Sequence, residues 1–305
     1  MSSTKLTWIP ISDVTRHSTL GLGAAALAAS LWGFGGIFAA LTFASGMVVA
    51  FYRLWLGAVL FVILTYAIGQ RLRWSTFKVT WLGGIFLAGD MIMFYSAVRL
   101  TSIVDVTVIG AFQPALVLFV APRMFGERVG RWDVLWVIVA MSGVSIAVLG
   151  PGATGHHRAL GDLLAIGALV SFSAYWLVSK RARGRTDAME YTAGVTIMAA
   201  VATGVIVLAF HQTLGRVHPV DWIWIALLAL VPGSGHLLMN WAHRFVDASV
   251  SSAVSCLAPL VAAVVAIPIL GQSLSVLQVI GVLVGLTGIA VVAARHRQPT
   301  TPTAE

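Results

Sequence analysis

Few side chains in this sequence can do chemistry, and the most isolated of them is Asp90, in the stretch LAGDMIMFYSAVRL (87–100). An ionised carboxylate deep in an apolar run costs about 3 kcal/mol or more unless it has a partner or a task. Asp90 therefore suits a substrate ammonium or a coupling proton. Arg53, in FYRLWLGA, is its counterpart by depth, and a structural ion pair that neutralises both charges is the alternative. A second polar group lies in VPGSGHLLMNWAHRF (231–245), where His236, Asn240 and His243 follow at i, i+4 and i+7 on one helical face. Such a stripe fits hydrogen bonding between helices, or a proton or substrate site, because imidazole titrates near neutral pH. No carboxylate or Cys completes a metal-ligand set at that spacing, so no metal is expected.

These residues must be positioned by membrane helices. Of 305 residues 59% are hydrophobic and 10% charged, with mean hydropathy +0.93, whereas soluble domains carry ~25% charged residues. Apolar segments of about the length that spans a bilayer recur at 20–41, 46–69, 79–98, 103–122, 133–150, 160–179, 190–210, 222–241, 249–270 and 276–294. Residues 1–19 read as a retained polar leader and 295–305 as a flexible tail, both cytoplasmic. All Lys and Arg except Arg53, Arg99, Arg158 and Arg216 fall on one side of this ten-span arrangement. By the positive-inside rule both termini are cytoplasmic, and the net charge of +8 reflects short cytoplasmic loops rather than nucleic-acid binding. The single Cys256 excludes a disulfide framework within the chain.

Within that arrangement Asp90 lies eight residues from the outer end of its span, roughly 12 Å deep, and Arg53 lies seven residues into its own, about 10 Å deep. Phe94 shares a helical face with Asp90. Gln113 adds a polar group beside Pro114, while Trp32 and Trp176, with Ser171 and Tyr175, offer aromatic and small polar surface in the first and sixth spans. Pro232, Gly233 and Gly235 are expected to interrupt the eighth span.

The chain also repeats itself. Shifted by 145 residues, AVRL…FQPALVLFVAPRMFGERV aligns without gaps with AHRF…LAPLVAAVVAIPILGQSL, so that Arg99 meets Arg244, Pro114 meets Pro259 and Gly143 meets Gly288. Five helices per repeat is an odd number, so the copies enter the membrane from opposite sides, the inverted arrangement that gives many secondary transporters two exchangeable conformations. Pro114 and Pro259 fall at mid-membrane as matched kinks, candidates for the flexing points.

AASLWGFGGIF, FYRLWLGA, FYSAVRLTSIVDVTVIGAFQPALVLFVA…FGERV and GQSLSVLQVIGVLVGLTGIAVV, in that order over residues 20–295, resemble the EamA family of the drug/metabolite transporter superfamily. The resemblance implies an all-α integral membrane protein of ten helices in two repeats, 20–150 and 160–294, around a central cavity. It also implies movement of small metabolites, often export of amino acids or related compounds. Gln272 departs from the pattern, since the family often carries Glu there, as at Glu127.

The expectation is a bacterial inner-membrane secondary transporter moving a small amphipathic solute, with the proton as coupling ion and no cofactor. Alternatives within the fold are an importer or a drug or nucleoside carrier, and outside it a channel or scramblase. Enzymatic readings lose support: no Walker sequence is present, GLGAAALAA and GFGGIF follow no strand, and no paired intramembrane acids occur. Asp90, Phe94, Gln113, Trp32, His236, Asn240 and Trp176 are the substrate or coupling candidates. Arg53, Pro114, Pro259 and Gly235 are the structural or gating ones.

Overall fold

A computed structural model describes residues 11–101, 103–148, 159–215, 217–270 and 275–296, and every regular element among them is helical. The first repeat comprises α1 (Ile11–Ala40), α2 (Gly46–Ala67), α3 (Trp74–Leu100), α4 (Ile103–Gly110), α5 (Gln113–Phe125) and α6 (Arg131–Val148). The second comprises α7 (Ala159–Ala182), α8 (Ala188–Ala209), α9 (Asp221–Ala242), α10 (Ala248–Ser255), α11 (Leu257–Leu270) and α12 (Val276–Arg295). Consecutive α4 and α5 form one span and α10 and α11 another, so ten helices are long and apolar enough to cross a membrane. Most of the leader and tail, Arg158, Arg216 and Gln272 lie outside the described residues.

The spans agree with the apolar segments within a few residues, except that α3 begins at Trp74 and continues to Leu100. Asp90 is therefore ten residues from the far end of its helix, about 15 Å rather than 12 Å. The eighth span also differs from expectation, because α9 runs unbroken through Pro232, Gly233 and Gly235.

The two repeats form inverted five-helix units whose packing follows their internal symmetry. The 145-residue shift maps α1 onto α7 and α3 onto α9, and the contacts α1–α9 and α3–α7 are an equivalent pair. It maps α6 onto α12 and α2 onto α8, and each of these packs against its own counterpart. Between α6 and α12 the backbones nearly touch: a Cβ added at Gly143 would lie 2.2 Å from the Gly285 nitrogen. Small residues permit this approach, which replaces the hydrophobic drive that helices lack in lipid.

The helix ends follow local chemistry. Ser275 and Gln278 form a capping box at the start of α12. Gly126, at φ 69°, ends α5 in the left-handed region that favours glycine.

Candidate functional site

The two repeats enclose a cavity of about 240 Å³. Its wall uses the later part of α1 from Trp32 to Ile37, α3 from Asp90 to Tyr95, α4 and the start of α5 from Val106 to Pro114, and α7 from Ala165 to Phe172. Pro232 and His236 of α9 and the junction of α10 with α11 complete it, together with Arg53 of α2. The segments from α1, α3, α4 and α7 belong to the half of the bundle away from the chain termini. The half nearer the termini is filled by a core that includes Leu22, Val117, Trp176, Met239, Val246 and Val254. The far end is held by a small cluster of Ala97, Val106 and Ala165 and by the outer part of a second large core that includes Phe38, Ala39, Ala44 and Val48.

Asp90 lines this cavity and is only 5% exposed. The ion pair with Arg53 is not formed; among the described residues Asp90 makes no ion pair and no hydrogen bond. The reason lies in α9. Pro232 has no N–H, so the carbonyl four residues earlier, on Leu228, loses its helical donor. Arg53 Nε donates to that carbonyl at 3.2 Å. Its Nη1 meets Met91 Sδ, and its guanidinium lies 5.8 Å from the Tyr95 ring centre. Arg53 thus repairs the proline defect, and α9 continues where an interruption was expected.

Trp32, Phe94, Gln113 and His236 also line the cavity. Trp32 Nε1 donates to the Pro232 carbonyl at 3.1 Å, and its ring packs against His236 at 5.1 Å and Phe172 at 5.6 Å. Gly235 lets α1 come this close, since a Cβ there would lie 2.7 Å from Trp32 Nε1. Gln113 Oε1 accepts from Ser255 Oγ at 3.0 Å, while its Nε2, like His236 Nδ1, is buried without a partner.

Two expected cavity residues lie elsewhere. Trp176 is fully buried in the core below the cavity, against Trp32 and His243. Asn240 Nδ2 donates to Tyr175 Oη at 3.2 Å and Thr192 Oγ1 at 3.0 Å, tying α9 to α7 and α8. The histidine stripe is therefore divided: His236 faces the cavity, Asn240 is committed to neighbouring helices, and His243 sits in the core with both ring nitrogens unpartnered. Among the described residues no cluster of His, Cys, Asp or Glu is arranged to hold a metal.

On the termini side the structure adds residues that sequence reasoning did not single out as a group. The Glu127 carboxylate accepts from the backbone N–H of Ala248 at 2.6 Å and of Ser249 at 3.0 Å, capping α10 of the other repeat. Lys180 Nζ donates to the carbonyls of His243 and Val246, 2.8 and 2.5 Å away. The α9–α10 connection is thereby clasped from two sides. Burial, and then the neighbouring Glu127, hold the Asp247 carboxyl above its ordinary range against the opposing pull of Lys180.

Residues 19–149 and 159–294 match the EamA-like transporter family, one copy per repeat. A relative from Bacillus subtilis strain 168, described as the uncharacterized transporter YyaM, is 24% identical over 258 residues, covering 81% of this chain and 84% of its own. A protein crystal structure with 18% sequence identity superposes at a TM-score of 0.76 over 92% of this chain and 99% of that one, a likeness of fold.

Proposed function

The chain belongs to the EamA-like transporter family of the drug/metabolite transporter superfamily and is a multi-pass membrane transporter, and from that premise we propose that it is a secondary active carrier of small amphipathic metabolites bearing an amine, such as amino acids. The observation that carries this reading is Asp90, an acid without a bonded partner on the wall of a largely apolar mid-membrane cavity. A largely apolar chamber with an unbonded carboxylate on its wall suits a solute with an apolar body and a cationic head. A volume of about 240 Å³ lies below the roughly 300–1,000 Å³ of drug-sized ligand pockets, which favours a metabolite over a bulky drug. Arg53 also lines the cavity, but its Nε is bonded to the Leu228 carbonyl and its Nη1 meets Met91 Sδ, so Asp90 is the charged group of the wall without a bond.

Alternating access then works through the inverted repeats. With both termini in the cytoplasm, as the distribution of Lys and Arg favours, the filled half of the bundle is cytoplasmic and the cavity lies toward the outside. Asp90 holds the substrate ammonium in one direction and a proton in the other, driving export across a bacterial plasma membrane. The test is counterflow of pooled labelled amino acids into proteoliposomes, with and without an imposed pH gradient. Saturable, gradient-stimulated flux that Asp90→Asn lowers by about 10–100-fold is expected, the worth of one hydrogen bond to a charged group. Unchanged flux and pH response in well-folded Asp90→Asn would remove the acid from the mechanism.

A further inference from the structure

Three prolines line the cavity, Pro114, Pro232 and Pro259. Each withholds a backbone donor from the carbonyl four residues earlier, on Gly110, Leu228 and Ser255 respectively. The Leu228 carbonyl is satisfied by Arg53. The other two differ. At the α4–α5 break the turn bonds end on the carbonyls of Thr107, Ile109 and Phe112, and at the α10–α11 break on that of Ala253; none of these bonds ends on the carbonyl of Gly110 or Ser255. Both residues line the cavity, and they are equivalent in the two repeats, since 255 − 110 = 145.

The two breaks are in contact where Ser255 Oγ, whose proton is shared with the Ser252 carbonyl at 2.6 Å, lies 3.0 Å from Gln113 Oε1. Gln113 Nε2 is buried and without a partner, and Gln113 lines the same cavity as Gly110 and Ser255. A Cβ added at Gly110 would meet nothing within 4 Å, so the space beside this break is free. Non-helical backbone at membrane depth persists where it lines a cavity, and here Gly110 is exposed and Ser255 half-buried.

We propose that the carbonyls of Gly110 and Ser255 form a hydrogen-bonding subsite for the ammonium N–H groups of the transported solute, with Gln113 Nε2 donating to an oxygen close to that amine and Asp90 supplying the countercharge. This rests on the amine reading of the cavity and adds a requirement to it: the head must carry N–H, not positive charge alone. The solute class is thereby narrowed to protonated amines with a neighbouring oxygen, to the exclusion of quaternary ammonium compounds.

The test uses the full chain in detergent, with phenethylamine and its N,N,N-trimethyl derivative as probes, and affinity read from thermal stabilisation. The two share charge and ring, but only the first can donate to carbonyls. Phenethylamine is expected to bind about tenfold more tightly. Pro259→Ala, and separately Pro114→Ala, return a backbone N–H to the freed carbonyl and should remove most of that advantage while leaving the trimethyl probe unchanged. Asp90→Asn should weaken both. If binding depends on Asp90 but the two probes bind equally, or if the proline variants weaken both alike, the subsite is wrong and the amine reading survives. If the wild type binds neither probe, the amine reading and the subsite both fail. If replacing Na⁺ and K⁺ by choline, which has no N–H, abolishes the proline effect, the carbonyls hold an inorganic cation and the ammonium assignment is overturned.

Discussion

At the scale of single residues, Arg53 is the side chain whose role depends most on its surroundings. Buried to 4% exposure, it is placed by depth to meet Asp90, yet its Nε serves the carbonyl that Pro232 leaves bare on Leu228. Removing a buried cation that satisfies such a group is expensive, so Arg53→Met should lower stability by about 2–4 kcal/mol. In a Pro232→Ala background the helix supplies its own donor, and the cost should shrink by about 1 kcal/mol, a coupling typical of groups in one network. Unfolding of the four proteins of this cycle in detergent measures it, and strictly additive losses would show that the guanidinium does not serve the carbonyl. Asp90 was legible in the sequence because an acid in an apolar run is rare enough to stand out. What it faces was not legible, since depth places two residues in one layer without saying which neighbour has the stronger claim. Trp176 and Asn240 were misplaced for a related reason. They share spans with cavity residues, but helical rotation and the neighbours Tyr175 and Thr192 put them in the packed interior.

At the scale of elements, three prolines in three spans have different outcomes. Pro114 and Pro259 each follow a break, whereas α9 passes Pro232 intact because a neighbouring helix repairs it. The ten spans were readable from apolar length alone, and the matched breaks from the 145-residue repeat. The continuity of α9 was not, since it depends on an arginine 175 residues from the carbonyl it bonds. Packing between elements gives a sharper contrast among glycines. On Gly281 a Cβ would fall 2.4 Å from the Ala147 nitrogen, on Gly143 2.2 Å from that of Gly285, and on Gly23 it would meet nothing within 4 Å. Gly143→Ala or Gly281→Ala must push α6 and α12 apart, with an expected loss of about 1–3 kcal/mol, while Gly23→Ala should be neutral. Melting followed by size-exclusion recovery separates them, and equal melting temperatures for all three would mean that the α6–α12 contact yields without cost.

At the scale of the whole molecule, the two ends of the cavity are closed by different contacts. One end has a broad core together with the Glu127 cap on α10 and the Lys180 bonds to the α9–α10 connection; the other has the Ala97, Val106 and Ala165 cluster, the outer part of a second core with Phe38 and Ala44, and the Asp221 and Arg99 bonds to the α1–α2 connection. An inverted-repeat carrier must undo whichever end is sealed, so the clasp belongs to one conformation and its loss should shift the population. Charge-assisted hydrogen bonds are worth about 1.5–3 kcal/mol each, and a shift of 1.4 kcal/mol is tenfold in an equilibrium. Cys256 is the single cysteine of the chain and sits in the cavity wall at 2% exposure, so its labelling reports opening of that wall. In vesicles of defined sidedness, an impermeant thiol reagent should reach Cys256 faster from the face away from the termini. Glu127→Gln combined with Lys180→Met should move that ratio about tenfold toward the face of the termini. A ratio unchanged in the double variant would mean that the apolar core alone seals that end, and that these charges fix the shape of the connection without setting which way the cavity faces.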